Sequence, residues 1–235
     1  MIIESKDILG KNTLIFDSVK HLYTLNKKPI IGVTTANKQG YPISENLLKW
    51  QIKQGIKEYE TKEMLTKAAN IGKSLHAYAE AKTLGKWEDI NKIVESIDGH
   101  EDEKKIRNTM FQFDDWYHKN QPDRVILTET ILASPKYKFG GQLDLLVQRG
   151  NSVILKDYKT TSGIYTNQFI QLALYSIGLK EWYGITVNEL EIVQFPKDGS
   201  CFNHRSIIDK KEIKKFQDQG IRNVKTAYFR REYEK

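Results

Sequence analysis

The chain has 235 residues, enough for one domain with a substantial core, and its mean hydropathy of −0.57 is that of an ordinary globular protein. No apolar run approaches the roughly 20 residues that span a bilayer, and a single cysteine, Cys201, excludes a disulfide framework. The 37 lysines and arginines outnumber the 30 acidic residues and give a formal net charge of +7, which favours a polyanionic partner.

The N-terminal segment predicts a cytoplasmic protein that begins with a β-hairpin. The first ten residues contain two acids and no arginine, which is typical of neither a signal peptide nor a transit peptide. Strand-forming residues predict strands over residues 19–25 and 30–35, joined by a turn at Asn26-Lys27-Lys28. Further along, Ser44 is predicted to cap a helix.

The middle of the chain predicts a layer of helices. Residues 57–84 read as helical throughout, with a break near Thr61, and residues 86–119 predict two more helices. The second half then predicts five further strands and one helix. In chain order these are a strand over 125–132, two strands on either side of the turn 149–152, a helix over 168–182, a strand over 189–195 and an edge strand over 204–208.

These elements predict an α/β protein, in which a helical layer precedes a mixed sheet and one more helix packs on that sheet. We expect a single domain over residues 1–235. Its parts are the hairpin and helical layer over 1–120, the sheet and its helix over 121–208, and a basic C-terminal helix over 209–235. The last segment is rich in lysine and arginine with aromatic residues between them, which fits either a surface that grips phosphates or a solvated helix.

Two acids and a lysine end the strands on either side of the 149–152 turn. Asp157 and Lys159 are two apart and therefore share one face of their strand. If Gln148 pairs with Val153, Asp144 lies opposite Asp157, at about 5 Å. Two facing carboxylates repel unless a cation lies between them, and hard oxygen ligands suit Mg²⁺ or Mn²⁺. The pattern therefore predicts a divalent metal site.

Each of these residues has a simpler interpretation when it is taken alone. An aspartate at a strand end is usually a turn former, and a lysine there is usually solvated. Both strands are otherwise apolar, however, and charges added to buried strands are costly unless they are paired or bind a metal. The combination therefore favours the metal site.

Four motifs in this chain resemble those of the PD-(D/E)xK nuclease superfamily, and within it the RecB-type exonuclease domains. The resemblance spans residues 68–183 and keeps the order of the family's motifs, although Lys73 replaces the usual threonine of the first. The motifs are Gly72-Lys73-Ser74-Leu75-His76-Ala77-Tyr78-Ala79-Glu80, Gly141-Gln142-Leu143-Asp144, Asp157-Tyr158-Lys159-Thr160 and Gln171-Leu172-Ala173-Leu174-Tyr175.

The resemblance implies a restriction-endonuclease-like mixed central sheet flanked by helices. It also implies a metal-dependent deoxyribonuclease, expected to be an exonuclease that prefers single-stranded DNA. One cysteine cannot supply the four ligands of the iron–sulfur cluster that some relatives bind. We therefore expect Mg²⁺ or Mn²⁺ as the only cofactor.

The resemblance also implies roles for individual residues. The expected metal ligands are His76, Asp144, Asp157 and the backbone carbonyl of Tyr158. The expected catalytic residues are Asp144, Asp157, Lys159, Gln171 and Tyr175. The acids expected to support the metal ligands are Glu80 and Glu129. The expected DNA contacts are Lys73, Thr160, Thr161, Gln168, Arg230 and Arg231.

Some of these residues allow a second interpretation from the sequence. A lone helical histidine such as His76 is more often a structural hydrogen-bonding residue. Gln171 and Tyr175, four apart on one helix face, also fit an ordinary helix surface. Three other functions stay open: a non-catalytic nucleic-acid-binding protein with the same fold, a structure-specific endonuclease, and a metal-dependent phosphohydrolase of small esters.

Overall fold

The structure is a computed structural model that describes residues 1–43, 45–56 and 61–234. It is an α/β protein whose large mixed sheet carries helices on both faces, so the predicted fold class is confirmed. The predicted helix cap at Ser44 and the first residues of the helix predicted from residue 57 lie outside the described residues. No helix within the described ranges is both long and apolar enough to cross a bilayer.

The N-terminal strands form an antiparallel meander of four: β1 (Ile2–Lys6), β2 (Thr13–Asp17), β3 (Leu22–Leu25) and β4 (Lys28–Gly32). The predicted hairpin is therefore present as β3 and β4. Its turn has two residues, Asn26 and Lys27, whose positive φ angles of 48° and 65° match the twist of a tight hairpin.

The two predicted hairpin strands extend beyond the observed β3 and β4 at the ends away from the turn. Residues 18–21 form a turn before β3, and residues 33–35 open helix α1 (Val33–Gly40). The run of β-branched residues there favours a strand locally, but the chain turns after β4 so that Val33 and Ala36 enter the core. Burial thus outweighs the local preference at this point.

The helical layer covers one face of the sheet. It consists of α2 (Glu45–Ile56), α3 (Thr61–Thr83), α4 (Trp87–Ser96) and α5 (Glu103–Lys119). The large rings of Phe113 and Trp116 on α5 are fully buried and pack with Tyr158 and Phe195 from the sheet. This aromatic cluster joins the layer to the strands that follow.

The rest of the sheet is built around one long strand. Strand β6 (Phe139–Arg149) pairs along one edge with β5 (Arg124–Ser134). On its other edge it pairs with β4 through only two residue pairs, and then, from Leu145 onward, with β7 (Ser152–Lys159). The recorded pairs leave residues 141–144 of β6 unpaired on that second edge, and these are the residues of the Gly-x-x-Asp motif.

The remaining elements complete the sheet and cover its other face. Helix α6 (Thr166–Tyr183) links β7 to the parallel strand β8 (Glu189–Gln194), and β9 (Asn203–Ile207) is the edge strand. Helix α7 (Lys210–Tyr233) packs against α6 and α1. Because α6 lies between the sheet and α7, it is buried on most of its surface.

Candidate active site

The predicted register of the two motif strands is confirmed. Gln148 pairs with Val153, and the antiparallel ladder runs to the pair Leu145–Lys156. Beyond it the strands separate, and the carboxylate of Asp144 takes the place of the ladder: its Oδ2 accepts a hydrogen bond of 2.7 Å from the backbone N–H of Tyr158. The acids of the two strands therefore lie where β6 and β7 part.

Three side chains from three elements meet beside this point. His76 from α3 places Nδ1 3.1 Å from Oε1 of Glu129 on β5 and 3.6 Å from Oδ2 of Asp144 on β6. One potential ligand atom of each residue lies within 4.8 Å of those of the other two. A nitrogen and two carboxylate oxygens at this spacing are a donor set that suits Mn²⁺ or Mg²⁺.

The imidazole of His76 serves as the local cation for these two acids. Burial disfavours its charged form, but the negative charges of Asp144 and Glu129 outweigh burial and raise the pKa of His76 to about 9. Burial also raises the pKa of the Asp144 carboxyl, and the neighbouring His76 partly offsets that change. The group of three is therefore stabilised by positive charge among its acids.

The buried Asp157 and the half-buried Lys159 form an ion pair next to this group. Asp157 is 0 % exposed, and its Oδ2 lies 2.5 Å from Nζ of Lys159, although neither carboxylate oxygen receives a well-aligned hydrogen bond from the described residues. Burial raises the pKa of Asp157 to about 6 against the opposing effect of Lys159. A buried carboxylate with so few donors is the kind of group that a metal ion satisfies.

A match to one known family agrees with this geometry. A family model of the PD-(D/E)XK nuclease superfamily matches residues 46–232. The chain belongs to the PD-(D/E)XK nuclease superfamily. Membership supports nuclease activity, a nucleic-acid substrate and the use of divalent metal ions.

Comparisons with individual proteins give only distant likenesses. The chain is similar to the crystal structure of SSO0001, with 14% identity and a TM-score of 0.31 over 63% of this chain and 73% of that one. It is also similar to LHK-Exo in complex with dAMP, with 13% identity and a TM-score of 0.32 over 68% and 94% of the respective chains. No curated protein matches it.

In this PD-(D/E)XK protein, the helix motif Gln171-x-x-x-Tyr175 is buried against the Gly-x-x-Asp strand. The amide of Gln171 donates to the hydroxyl of Tyr175 at 2.8 Å, and Tyr175 is buried. A Cβ on Gly141 would lie 2.4 Å from the Tyr175 ring, so only glycine lets the ring approach β6 this closely. The two motifs are thus complementary in shape.

Tyr158 anchors the end of β7 in the PD-(D/E)XK core. Its ring is buried and packs edge-on against Phe113, Trp116 and His76. Burial is the main reason that the pKa of its hydroxyl lies far above the usual value. The ring therefore fixes the backbone of Tyr158 beside Asp144, where its carbonyl was predicted to be a ligand.

The loop after Lys159 is held by Gln168. This buried side chain donates to the hydroxyl of Thr161 at 3.1 Å and accepts from the backbone N–H of Tyr165 at 2.9 Å. Thr160 lies across from Gly72, because a Cβ there would be 3.7 Å from its hydroxyl. The loop thus brings Thr160 and α3 together, and the hydrogen-bonding capacity of Gln168 goes largely to the loop itself.

Glu80 lies on the side of α3 that faces α4, and Lys73 lies on the surface of α3. Glu80 lines a shallow hollow between α3 and α4 with Lys86, Asp89 and Lys92, while the contacts of His76 Nδ1 are Glu129 and Asp144. Lys73 is exposed on α3.

The two predicted arginine contacts lie far along the basic helix. Arg230 and Arg231 are exposed in the last turns of α7, where Arg230 Nε lies 3.5 Å from Glu234.

Two features near the site were not predicted from the sequence. Gln142 donates both to the backbone carbonyl and to the carboxylate of Glu129, at 3.1 and 2.9 Å. Lys156, next to Asp157, is buried in an ion pair with Glu191 on the opposite side of the sheet from Asp157. A lysine flanked by apolar strand residues could have indicated the second feature, because a buried lysine needs a partner.

Proposed function

We propose that this protein is a metal-dependent deoxyribonuclease of the RecB type, acting as an exonuclease that prefers single-stranded DNA. The observation that carries the proposal is the meeting of two groups where β6 and β7 separate. These are the group His76, Glu129 and Asp144 and the ion pair of Asp157 with Lys159. We assign it to the nucleases that cut DNA in the cytoplasm during repair and recombination.

His76, Asp144, Asp157 and the backbone carbonyl of Tyr158 would hold the cation, with Glu129 beside them. When bound, a divalent ion supplies charge neutralisation at the phosphate and a lower pKa for a bound water. The residues fit that ion because Asp144 and Asp157 are buried, because His76, Glu129 and Asp144 offer ligand atoms within 4.8 Å of one another, and because Asp157 lacks aligned donors. One imidazole among the oxygens favours Mn²⁺ over Mg²⁺.

Lys159 acts as a fixed positive charge at the reacting phosphate. Burial disfavours its charge, but the negative charges of Asp157 and Asp144 outweigh burial and raise the pKa of the lysine. A lysine that keeps its proton at neutral pH orients the attacking water and stabilises the negative charge that grows on the phosphate. This supports charge stabilisation rather than proton removal as its role.

The surface beyond the site supports a nucleic-acid strand as substrate. The proposed contacts near the site are Lys73, Thr160 and Thr161, with Gln168 holding the loop. Arg230 and Arg231 lie on α7, whose exposed Phe229 and Tyr233 have ring centroids 4.8 Å apart. Basic side chains beside exposed aromatic rings suit the phosphates and bases of a single strand.

A cleavage assay tests the proposal. Labelled linear and circular single strands of equal sequence, and a matched duplex, are incubated with Mg²⁺, Mn²⁺ or EDTA. We expect cleavage only with a metal ion, faster on the linear single strand than on the duplex and absent on the circle. Equal rates on circle and line would show an endonuclease, and no metal-dependent cleavage of any substrate would overturn the proposal.

A further inference from the structure

We propose that Gln142 is a positioning residue that holds Glu129 in a left-handed backbone conformation and thereby makes Glu129 a ligand of the cation. This inference rests on the proposed function, because it extends the ligand set of the same site. It gives a role to a residue of the Gly-x-x-Asp motif that lies between the glycine and the aspartate. It also means that Glu129 binds the cation directly instead of supporting the residues that bind it.

The backbone of Glu129 is unusual for its place in the fold. Five non-glycine residues of the described chain have a positive φ, and four of them lie in turns: His21, Asn26, Lys27 and Lys138. Glu129, with a φ of 42°, lies inside strand β5. A left-handed conformation is unfavourable for a residue with a Cβ and persists only where its surroundings enforce it, most often at functional sites.

The strand ladder shows what this conformation does. The pairs Thr128–Leu145 and Thr130–Leu143 flank the position where Glu129 would face Asp144, and no pair is formed between them. The hydroxyl of Thr128 instead donates to the backbone carbonyl of Asp144 at 3.1 Å. With the pairing interrupted there, the Glu129 side chain lies beside His76 and Asp144.

Two hydrogen bonds from Gln142 hold Glu129 in this conformation. The amide nitrogen of Gln142 donates to the backbone carbonyl of Glu129 at 3.1 Å and to Oε2 at 2.9 Å. One amide group thus fixes both the backbone and the carboxylate of the same residue, and Oε1 is left to meet His76 at 3.1 Å. Both partners are acceptors, so the nitrogen and not the oxygen of the amide must face them.

A neutral donor suits this role better than a charged one. An arginine or lysine at residue 142 would make similar hydrogen bonds, but its charge would neutralise the carboxylate and compete with the cation for it. Glutamine orients Glu129 and leaves its negative charge for the metal ion. Groups that orient a ligand in this way commonly change metal affinity about 10- to 100-fold when they are removed.

Mn²⁺ binding to the purified full chain, measured by titration calorimetry, tests the inference. Gln142→Met keeps the size of the side chain and removes its donors, and we expect it to weaken Mn²⁺ binding about 10- to 100-fold. Glu129→Ala should weaken binding at least as much. Because Gln142 acts through Glu129, the double variant should bind Mn²⁺ no more weakly than Glu129→Ala alone.

Gln148→Met is the matched control. Gln148 lies on the same strand, but its amide donates to the carbonyl of Gly150 in the turn. This variant should bind Mn²⁺ as the wild type does. If Gln142→Met fails to fold, Gln142→Thr replaces it, since threonine suits a strand while its hydroxyl is too short to reach both acceptors of Glu129.

Two results would overturn the inference and leave the proposed function standing. One is wild-type Mn²⁺ affinity in the folded Gln142 variant. The other is an equal loss of affinity from the Gln142 substitution with and without Glu129, which would mean that Gln142 acts by another route. A wild-type protein that neither binds Mn²⁺ nor cleaves DNA would instead overturn the proposed function itself.

Discussion

Substitution of Lys156 by methionine should lower the free energy of unfolding by about 3–5 kcal/mol, because it leaves a buried carboxylate without its partner. Lys156 is 2 % exposed and Glu191 5 % exposed, and their charged groups are in direct contact. The ammonium also lies 5.2 Å from the ring centre of Trp116. The remaining partner of the carboxylate is His204, whose Nδ1 is 3.0 Å from Oε1.

Removal of both charges should reverse most of this loss. The double variant Lys156→Met with Glu191→Leu replaces the ion pair by apolar side chains of similar volume, a change that is often neutral or stabilising. His204 does not then become a buried orphan, because about half of its side chain is exposed to water. We therefore expect the free energy of unfolding of the double variant to lie within about 1 kcal/mol of the wild-type value or above it.

Urea unfolding followed by circular dichroism measures these free energies of unfolding, with EDTA present to remove the effect of metal ions. The comparison requires the same slope of free energy against urea concentration in every variant. For a chain of this size the single variant should also melt roughly 6–20 °C lower, at about 2–4 °C per kcal/mol. The control is Lys214→Met, since Lys214 pairs with Asp218 on the surface of α7 and its loss should change stability by less than about 0.5 kcal/mol. A single variant as stable as this control, or a double variant that loses the sum of both single effects, would refute the reasoning.

Four further predictions concern the site and its surface. Asp157→Asn should abolish metal-dependent cleavage while a gel-shift assay shows DNA binding within a few-fold of the wild type; full activity contradicts its assigned role. The raised pKa of His76 means that the metal-free imidazole keeps its proton at pH 7, and only the neutral ring binds a metal. Metal binding should therefore release about one proton, and the metal affinity should rise about tenfold per pH unit up to about pH 9. A binding enthalpy that does not vary with the ionisation enthalpy of the buffer would show that no proton is released and would contradict this prediction. Gly141→Ala should destabilise the fold by about 1–3 kcal/mol in urea unfolding, since the new methyl group meets a buried ring, while Gly150→Ala meets no neighbouring atom and tests backbone strain alone. Removing the charge of Arg230 and Arg231 together should lower the log–log salt slope of single-strand binding by about 0.7 per lost phosphate contact, and an unchanged slope would assign both to the solvated surface.

The motif strands were predictable because their signal is local. The turn 149–152 suggested the pair Gln148–Val153 as the register of β6 and β7, and the structure has this pair. The parallel pairing of β4 with β6 joins residues more than one hundred positions apart, and no local sequence pattern in either segment predicts it. Strands β1 and β2 were not predicted, since β1 alternates exposed and half-buried residues and exposes Ile2 instead of burying it.

The site was predictable in its chemistry but only partly in its contacts. The sequence placed Asp144, Asp157 and His76 in one site, and that assignment stays a prediction although the structure brings them to the same end of the sheet. The contact between Glu129 and His76 depends on a positive φ, which a glutamate does not signal in a sequence. Helical spacing and the family motif both indicated Glu80, which lines the hollow between α3 and α4.

His76, Glu129 and Asp144 come from parts of the chain that only complete folding brings together. His76 belongs to the helical layer, whereas Glu129 and Asp144 belong to strands of the sheet. Contacts between distant segments form late, since the entropy of closing the loop must be overcome before they stabilise the chain. A partly folded chain whose helical layer has not docked therefore lacks the imidazole beside the two acids, so the proposed metal site is complete only when the fold is complete.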